Sequence, residues 1–117
     1  MSMVSYNEDI NYKFHEDVTI IRILKYIDQT YDQHYAQGKI QATELVFDAG
    51  HGEGFCIGNI LKYAQRFGKK DIEYPTADLY KVIHYAMILL GHIQHESSLQ
   101  LEKEMREYEE QMNMDRD

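Results

Sequence analysis

FCIGNILKYAQRFGKK, residues 55–70, carries four cations (Lys62, Arg66, Lys69 and Lys70) and no acid, in a 117-residue chain whose formal net charge is -8. Wound as a helix at about 100° per residue, the stretch puts Ile57, Ile60, Leu61, Ala64 and Phe67 on one side and Asn59, Lys62, Tyr63 and Arg66 on the other. The spacing therefore predicts an amphipathic helix with an apolar core face and a basic outer face. Gly68 follows the last periodic residue as a stop. Lys69 and Lys70 then extend the cationic surface next to the negative end of the helix dipole.

Immediately upstream, Ala49-Gly50-His51-Gly52-Glu53-Gly54 places a glycine at every second position. Two readings compete. Backbone N–H groups freed by the glycines would cradle an anion at the start of the helix, with Asn59 and Lys62 in the next turns meeting the same ligand. Alternatively, the glycines only make a tight turn between two helices. No Gly-Lys-Ser/Thr follows, so the motif is not a P-loop.

Outward from this centre the pattern stays helical. Val18, Ile21, Leu24 and Ile27 recur at helical spacing from about Asp17, with Gly38 as the predicted stop. Ile20 and Ile23 widen that arc, as expected of a helix covered on more than one side. Lys39 to Ala49 reads as a short second helix with Ile40, Thr43, Val46 and Phe47 inward and Glu44 facing outward or toward the site. Beyond Pro75-Thr76, with Thr76 as an N-cap and Asp78 in the first turn, Leu79, Val82, Ile83, Ala86, Leu89, Leu90 and Ile93 form a predicted core seam. Asp78, Lys81, Tyr85 and His92 lie on the opposite face. At Glu96-Ser97-Ser98 the chain either turns or continues straight into a charged tail, where Leu101, Met105, Tyr108 and Met112 make a short heptad-like stripe.

The fold expected is all-α, a small bundle of four to five helices: an N-terminal arm over 1–16, a helical ligand-binding domain over 17–96 and a charged C-terminal helix over 97–117. The terminal helices offer a surface for homo-oligomerisation. A single proline and 44% hydrophobic residues fit a folded helical chain.

Composition narrows the function classes. A lone cysteine, Cys56, excludes an intramolecular disulfide and suits a reducing cytoplasm; at the start of the central helix it is expected to be a small buried residue rather than a nucleophile. No charged and apolar leader is read at the N-terminus, and the longest apolar run, Ala86 to Leu90, is too short to cross a bilayer. The acidic balance disfavours duplex nucleic acid, which needs a basic surface over many phosphates. A local basic patch still suits a nucleotide or another small phosphorylated ligand. Neither His92-x-x-His95-Glu96 nor His51, Glu53 and Cys56 has a zinc spacing, so no metal ligands are assigned. Glu44, Asp48 and Asp78 are the acids near the basic motif, and they do not form the paired E-x-x-E and E-x-x-D clusters of helical pyrophosphohydrolases.

His34-Tyr35, Ile40, the run G-F-C-I-G-N-I-L-K-Y-x-x-R-x-G-K-K from Gly54 to Lys70, Asp78-Leu79-x-Lys81 and Tyr85 together resemble the SaV-like family of small phage proteins. That family includes the C-terminal domain of the nucleotide kinase of T7-like phages, which lacks a P-loop. The resemblance spans about His34 to Ile93. It departs where the family has a Glu-x-x-Asp pair and this chain has Gln41 and Glu44, and where Phe67 replaces a small residue.

The resemblance implies a phage-encoded nucleotide-binding protein similar to a deoxynucleoside monophosphate kinase, working in the host cytoplasm, with Mg2+ required only if the site is catalytic. Gly52, Gly54, Asn59, Lys62, Tyr63, Arg66, Lys69, Lys70 and Lys81 are the expected phosphate and nucleotide contacts. His34, Tyr35, Glu44, Asp78 and Tyr85 would support them. Two alternatives remain open: a non-catalytic binder that sequesters a nucleotide signal, and a metal-dependent nucleotide pyrophosphohydrolase. No catalytic residue is assigned. Arg66 is the sharpest case: as a phosphate ligand its loss would leave folding intact, whereas as a helix-joining partner of Asp78 or Glu44 its loss would lower stability.

Overall fold

The computed structural model describes residues 8–32, 36–69 and 73–115. Among them the chain forms four helices and no strand: α1 (Glu16–Asp32), α2 (Ala36–Asp48), α3 (Gly52–Arg66) and α4 (Thr76–Asp115). The all-α expectation holds. Two boundaries differ from the sequence reading. Gly38 does not stop α1 but lies in the first turn of α2, because a glycine there needs no side-chain support and nothing comes within 4 Å of its missing Cβ. The central helix starts at Gly52, a turn earlier than Phe55. At Ser97 the chain does not turn: α4 runs 40 residues without a break, and the Ser98 hydroxyl donates back to the Gln94 carbonyl at 2.9 Å.

The turn between α2 and α3 is built from glycine. Gly50 has φ of 86°; its N–H donates to the Phe47 carbonyl and the N–H of His51 to the Val46 carbonyl, each at 3.0 Å. These are the two bonds of a Schellman motif, which satisfies the last carbonyls of α2. Gly68, with φ of 77°, ends α3 in the same left-handed conformation.

α3 packs on α4 along most of its length, with α1 and α2 laid against the same side of the pair. Arg66 meets Asp78 at one end and Phe55 meets Tyr85 further along, so α3 and α4 are antiparallel. The packing turns part of each predicted outer face inward and part of each predicted core face outward, although Lys62 stays exposed and Ile60, Val82 and Leu89 are half-buried. On α3, Asn59, Tyr63 and Arg66 are half-buried while Ile57, Leu61, Ala64 and Phe67 are exposed, Leu61 to 65%. On α4, Asp78 is 2% exposed while Leu79, Ile83, Leu90 and Ile93 of the predicted seam are open, Leu90 to 54%. Side chains whose spacing marks a core face thus form an outer surface of the single chain. Only Ile23 and Cys56 are buried apolar side chains among the described residues.

The outline is correspondingly long. The principal extents are 71 × 43 × 27 Å and the radius of gyration is 19.4 Å, against about 13 Å for a compact chain of this length. The second half of α4 is the cause: every side chain described from Gly91 to Met114 is exposed.

Candidate functional site

A cavity of about 670 Å3 lies where α1 and α2 cover the α3–α4 pair, within the range of small-molecule sites. α1 contributes Tyr26, Thr30 and Tyr31; α2 contributes Lys39, Ile40, Thr43, Glu44, Phe47 and Asp48; α3 contributes Tyr63; and α4 contributes Lys81, His84, Tyr85, Ile88 and His92. Helical spacing explains these groupings. Lys81, His84, Tyr85, Ile88 and His92 recur at three and four residues along one side of α4, and Lys39, Ile40, Thr43, Glu44, Phe47 and Asp48 do so along α2. The Thr30 and Thr43 hydroxyls donate to the Ile27 and Lys39 carbonyls at 2.7 and 2.9 Å.

Aromatic contacts stiffen the walls. Tyr26 stacks on Tyr80 with centroids 5.2 Å apart and meets His84 edge-on at 6.0 Å. Phe47 tilts against His92 at 4.6 Å. Tyr85 is held between Phe55, edge-on at 5.7 Å, and Tyr63, stacked at 6.0 Å. Such pairs add about 0.5–1.5 kcal/mol each beyond their burial.

Positive charge converges at Tyr63. Lys62 Nζ, Arg66 Cζ and Lys81 Nζ lie 4.9, 4.7 and 4.9 Å from the centroid of its ring. The ring's quadrupole attracts each of them. Arg66 has its own counter-charge: Nη2 and Nε donate to Asp78 Oδ1 at 2.7 and 3.0 Å. Among the described residues, Lys62 and Lys81 have no carboxylate partner. Two uncompensated cations therefore sit together beside an aromatic ring that lines the cavity.

Three titrations are displaced. Burial pushes the His84 imidazole below its ordinary value, so the ring is neutral near pH 7. Burial pushes the Tyr85 phenol up, and the neighbouring Tyr63 and Cys56 add to the shift. The Cys56 thiol is raised by burial as well; it is wholly buried and stays protonated, which removes the helix-start thiolate as a nucleophile.

Of the residues expected from sequence, Tyr63, Lys81, Glu44 and Tyr85 line the cavity, with Lys62 and Arg66 around Tyr63. Asn59 uses its amide Nδ2 to bond the Phe55 carbonyl at 2.9 Å within its own helix. Asp78 is engaged by Arg66, and its other oxygen, Oδ2, is buried with no hydrogen-bond partner among the described residues. Lys69 is exposed past the end of α3. Gly52 and Gly54 do not form an open cradle: the Phe47 ring packs directly on Gly52 where a Cβ would stand, and Gly54 is an exposed residue in the first turn. His34, Tyr35 and Lys70 lie outside the described residues. Glu44 and Asp48 share one side of α2, but no group of three His, Cys, Asp or Glu side chains gathers among the described residues to hold a metal.

Sequence reasoning missed Tyr26, Thr30, Tyr31, Lys39, His84 and His92. The signal was present in α4, where His84, Ile88 and His92 step by four residues alongside Lys81 and Tyr85. It went unread because the apolar seam on the opposite side of the helix looked like the core.

The model of a protein family of unknown function, DUF3310, matches residues 28–87, from the last turns of α1 through the first three turns of α4. No curated protein and no solved structure matches the chain. With 60 of its 117 residues matched, this chain belongs to the DUF3310 family.

Proposed function

We propose that the cavity binds a nucleotide, with its phosphates at Lys62 and Lys81 and its base among the aromatic walls. The observation that carries this reading is the pair of lysines without a carboxylate partner among the described residues, Lys81 in the cavity lining and the exposed Lys62, each with its Nζ 4.9 Å from the centroid of the Tyr63 ring that lines the cavity. Like charges held close together repel, and a bound phosphate relieves that cost while gaining charge-assisted hydrogen bonds. Tyr26, Tyr31, Phe47 and Tyr85 offer flat faces for a base. The protonated Tyr85 phenol is a hydrogen-bond donor. Lys39 joins Lys81 as a second lysine of the lining.

Arg66, Asn59 and the glycine turn are not part of this site. Arg66 holds α4 through Asp78 and packs over the Tyr63 ring.

Phosphoryl transfer to a deoxynucleoside monophosphate is the activity that the resemblance to the phage kinase domain supports, in the host cytoplasm. Such chemistry needs chiefly positioning and neutralisation of phosphate charge. Glu44 and Asp48, one turn apart on α2, would hold Mg2+ through one or two carboxylates beside the substrate phosphates, the mode this ion favours. Sequestration without turnover is the second reading. It is favoured by the cavity lining itself, which is dominated by aromatic rings with only those two acids. Pyrophosphate hydrolysis, which calls for a larger carboxylate cluster, has the least support.

Calorimetric titration with each deoxynucleoside monophosphate and triphosphate tests the proposal. Lys81→Ala is expected to weaken the binding by about tenfold or more, the loss of one charge-assisted hydrogen bond. Lack of heat with every nucleotide would remove the reading. A coupled assay with a triphosphate donor then separates the two activities: diphosphate formed supports the kinase, and ligand recovered unchanged supports sequestration.

A further inference from the structure

Ile57, Leu61 and Ala64 on α3, with Leu79, Ile83, Ala86, Leu90 and Ile93 on α4, are all exposed. At about 100° per residue, the α4 set lies roughly 110° round its helix from Asp78 and Tyr85, which join it to α3, and opposite Lys81, His84, Ile88 and His92, which line the cavity. The α3 set lies on the side of its helix away from Phe55 and Arg66. The α4 face carries no charge between Leu79 and Ile93.

The same stripe continues down α4. Leu101, Met105, Tyr108 and Met112, all exposed, fall within about 40° of the helical angles of Leu79, Ile83, Ala86 and Leu90. The two halves mirror each other: Leu79, Ile83, Ala86 and Leu90 step by four, three and four, and so do Leu101, Met105, Tyr108 and Met112.

We infer that the chain forms an antiparallel homodimer in which the α4 tail of each copy lies on the exposed α4 face of the other, with Leu79 opposite Met112, Ile83 opposite Tyr108, Ala86 opposite Met105 and Leu90 opposite Leu101. Area identifies the occupant as a second copy. One chain exposes 9956 Å2, whereas a compact monomer of its 13.9 kDa exposes about 6,700 Å2. The excess of some 3,000 Å2 is several times the roughly 800 Å2 per partner that a stable interface buries. Charge selects the orientation. In a heptad frame through Leu101, Met105, Tyr108 and Met112, the flanking positions are Glu102, Glu104, Glu109 and Gln111. Tail against tail would set glutamates against glutamates, while the antiparallel register sets them against the uncharged flanks of Leu79 to Leu90. The central seam of each half-interface is then apolar on both sides.

Sedimentation equilibrium of the full chain is expected to give twice 13.9 kDa. Ile83→Glu on the face and Met105→Glu on the tail should each give a monomer with unchanged helicity by circular dichroism. Both positions are solvent-exposed in one chain, so neither substitution disturbs its fold. Register is read by mixing Leu90→Cys and Leu101→Cys chains, each with Cys56→Ala: disulfide-linked heterodimer is expected, and Tyr108→Cys chains alone should not cross-link. A monomer at all concentrations, a dimer that survives Ile83→Glu, or efficient Tyr108→Cys homodimer cross-linking would overturn the inference.

Discussion

Arg66 and Asp78 show how a single pair can change its meaning between sequence and structure. As a cation on a basic helix, Arg66 looks like a phosphate ligand; in the fold it clamps a carboxylate that is 2% exposed. Removing Arg66 strands that carboxylate in the interior, where the loss of one partner of a buried pair costs about 3–5 kcal/mol. With the Arg66 side chain 24% exposed, Arg66→Ala is expected to cost about 2–3 kcal/mol, seen as a lower urea midpoint. Arg66→Ala/Asp78→Asn should recover part of it. If the single variant unfolds as the parent does, Arg66 is free to be the phosphate ligand that its sequence position suggested. His84 supplies a pH test. Its folded-state pKa is lowered by burial, so the unfolded chain binds the extra proton first as pH falls. Stability from the neutral ring is fully present above about pH 6.5 and declines below it, down through the folded pKa. His84→Gln should flatten that slope in denaturant melts between pH 5 and 7.5, and a slope unchanged by the substitution would assign it to other groups.

Among the elements, α3 and α4 have opposite tolerances for an added methyl group at Gly52 and Gly91. Gly52→Ala would drive a Cβ into the Phe47 ring, which lines the cavity. It is expected to cost about 1–3 kcal/mol as overpacking, and Phe47→Leu in the same chain should relieve it. At Gly91, nothing lies within 4 Å of an added Cβ and the residue is in the interior of α4. Gly91→Ala should therefore stabilise by about 0.5–1 kcal/mol through backbone entropy. Thermal melts of the two alanine variants should move in opposite directions. Much at this scale was legible beforehand: the periodicity of residues 17–27, 39–49, 55–67 and 77–93 located all four helices, and Gly68 marked its turn. The end of α1 was misplaced because Gly38 was read as its stop, whereas α1 ends at Asp32 and Gly38 lies in the first turn of α2.

At the scale of the molecule, α4 extends well past the body, as a helix about 60 Å long whose second half touches no other described element of its own chain. A helical segment of that length without a packed face is marginal in water. Amides beyond Ser97 should therefore exchange rapidly with solvent in dilute solution, while those of residues 78–92 stay protected. Protection of residues 99–112 should rise with protein concentration as the partner's face covers them. Concentration-independent exchange along the whole tail would mean that nothing docks there.

The sequence by itself determined the helices and their amphipathic spacing, because local periodicity and glycine conformations act within a few residues. It also marked the cluster of cations at residues 62–70 as unusual, and it assigned the stripe of residues 79–93 to the core. Which face of α3 and α4 turns inward was decided only by the tertiary structure. Both faces have material to bury: one is aliphatic, the other a set of aromatic rings joined by the Arg66–Asp78 ion pair. In the single chain α1 and α2 cover the aromatic side, and Tyr26, Phe47 and Tyr85 meet rings from other helices there. Contacts between rings far apart in the chain have no local signature, so the cavity could not be read from spacing alone. The aliphatic stripes kept the pattern of a core although the chain leaves them exposed, since helical spacing records that a face is buried without recording which molecule buries it.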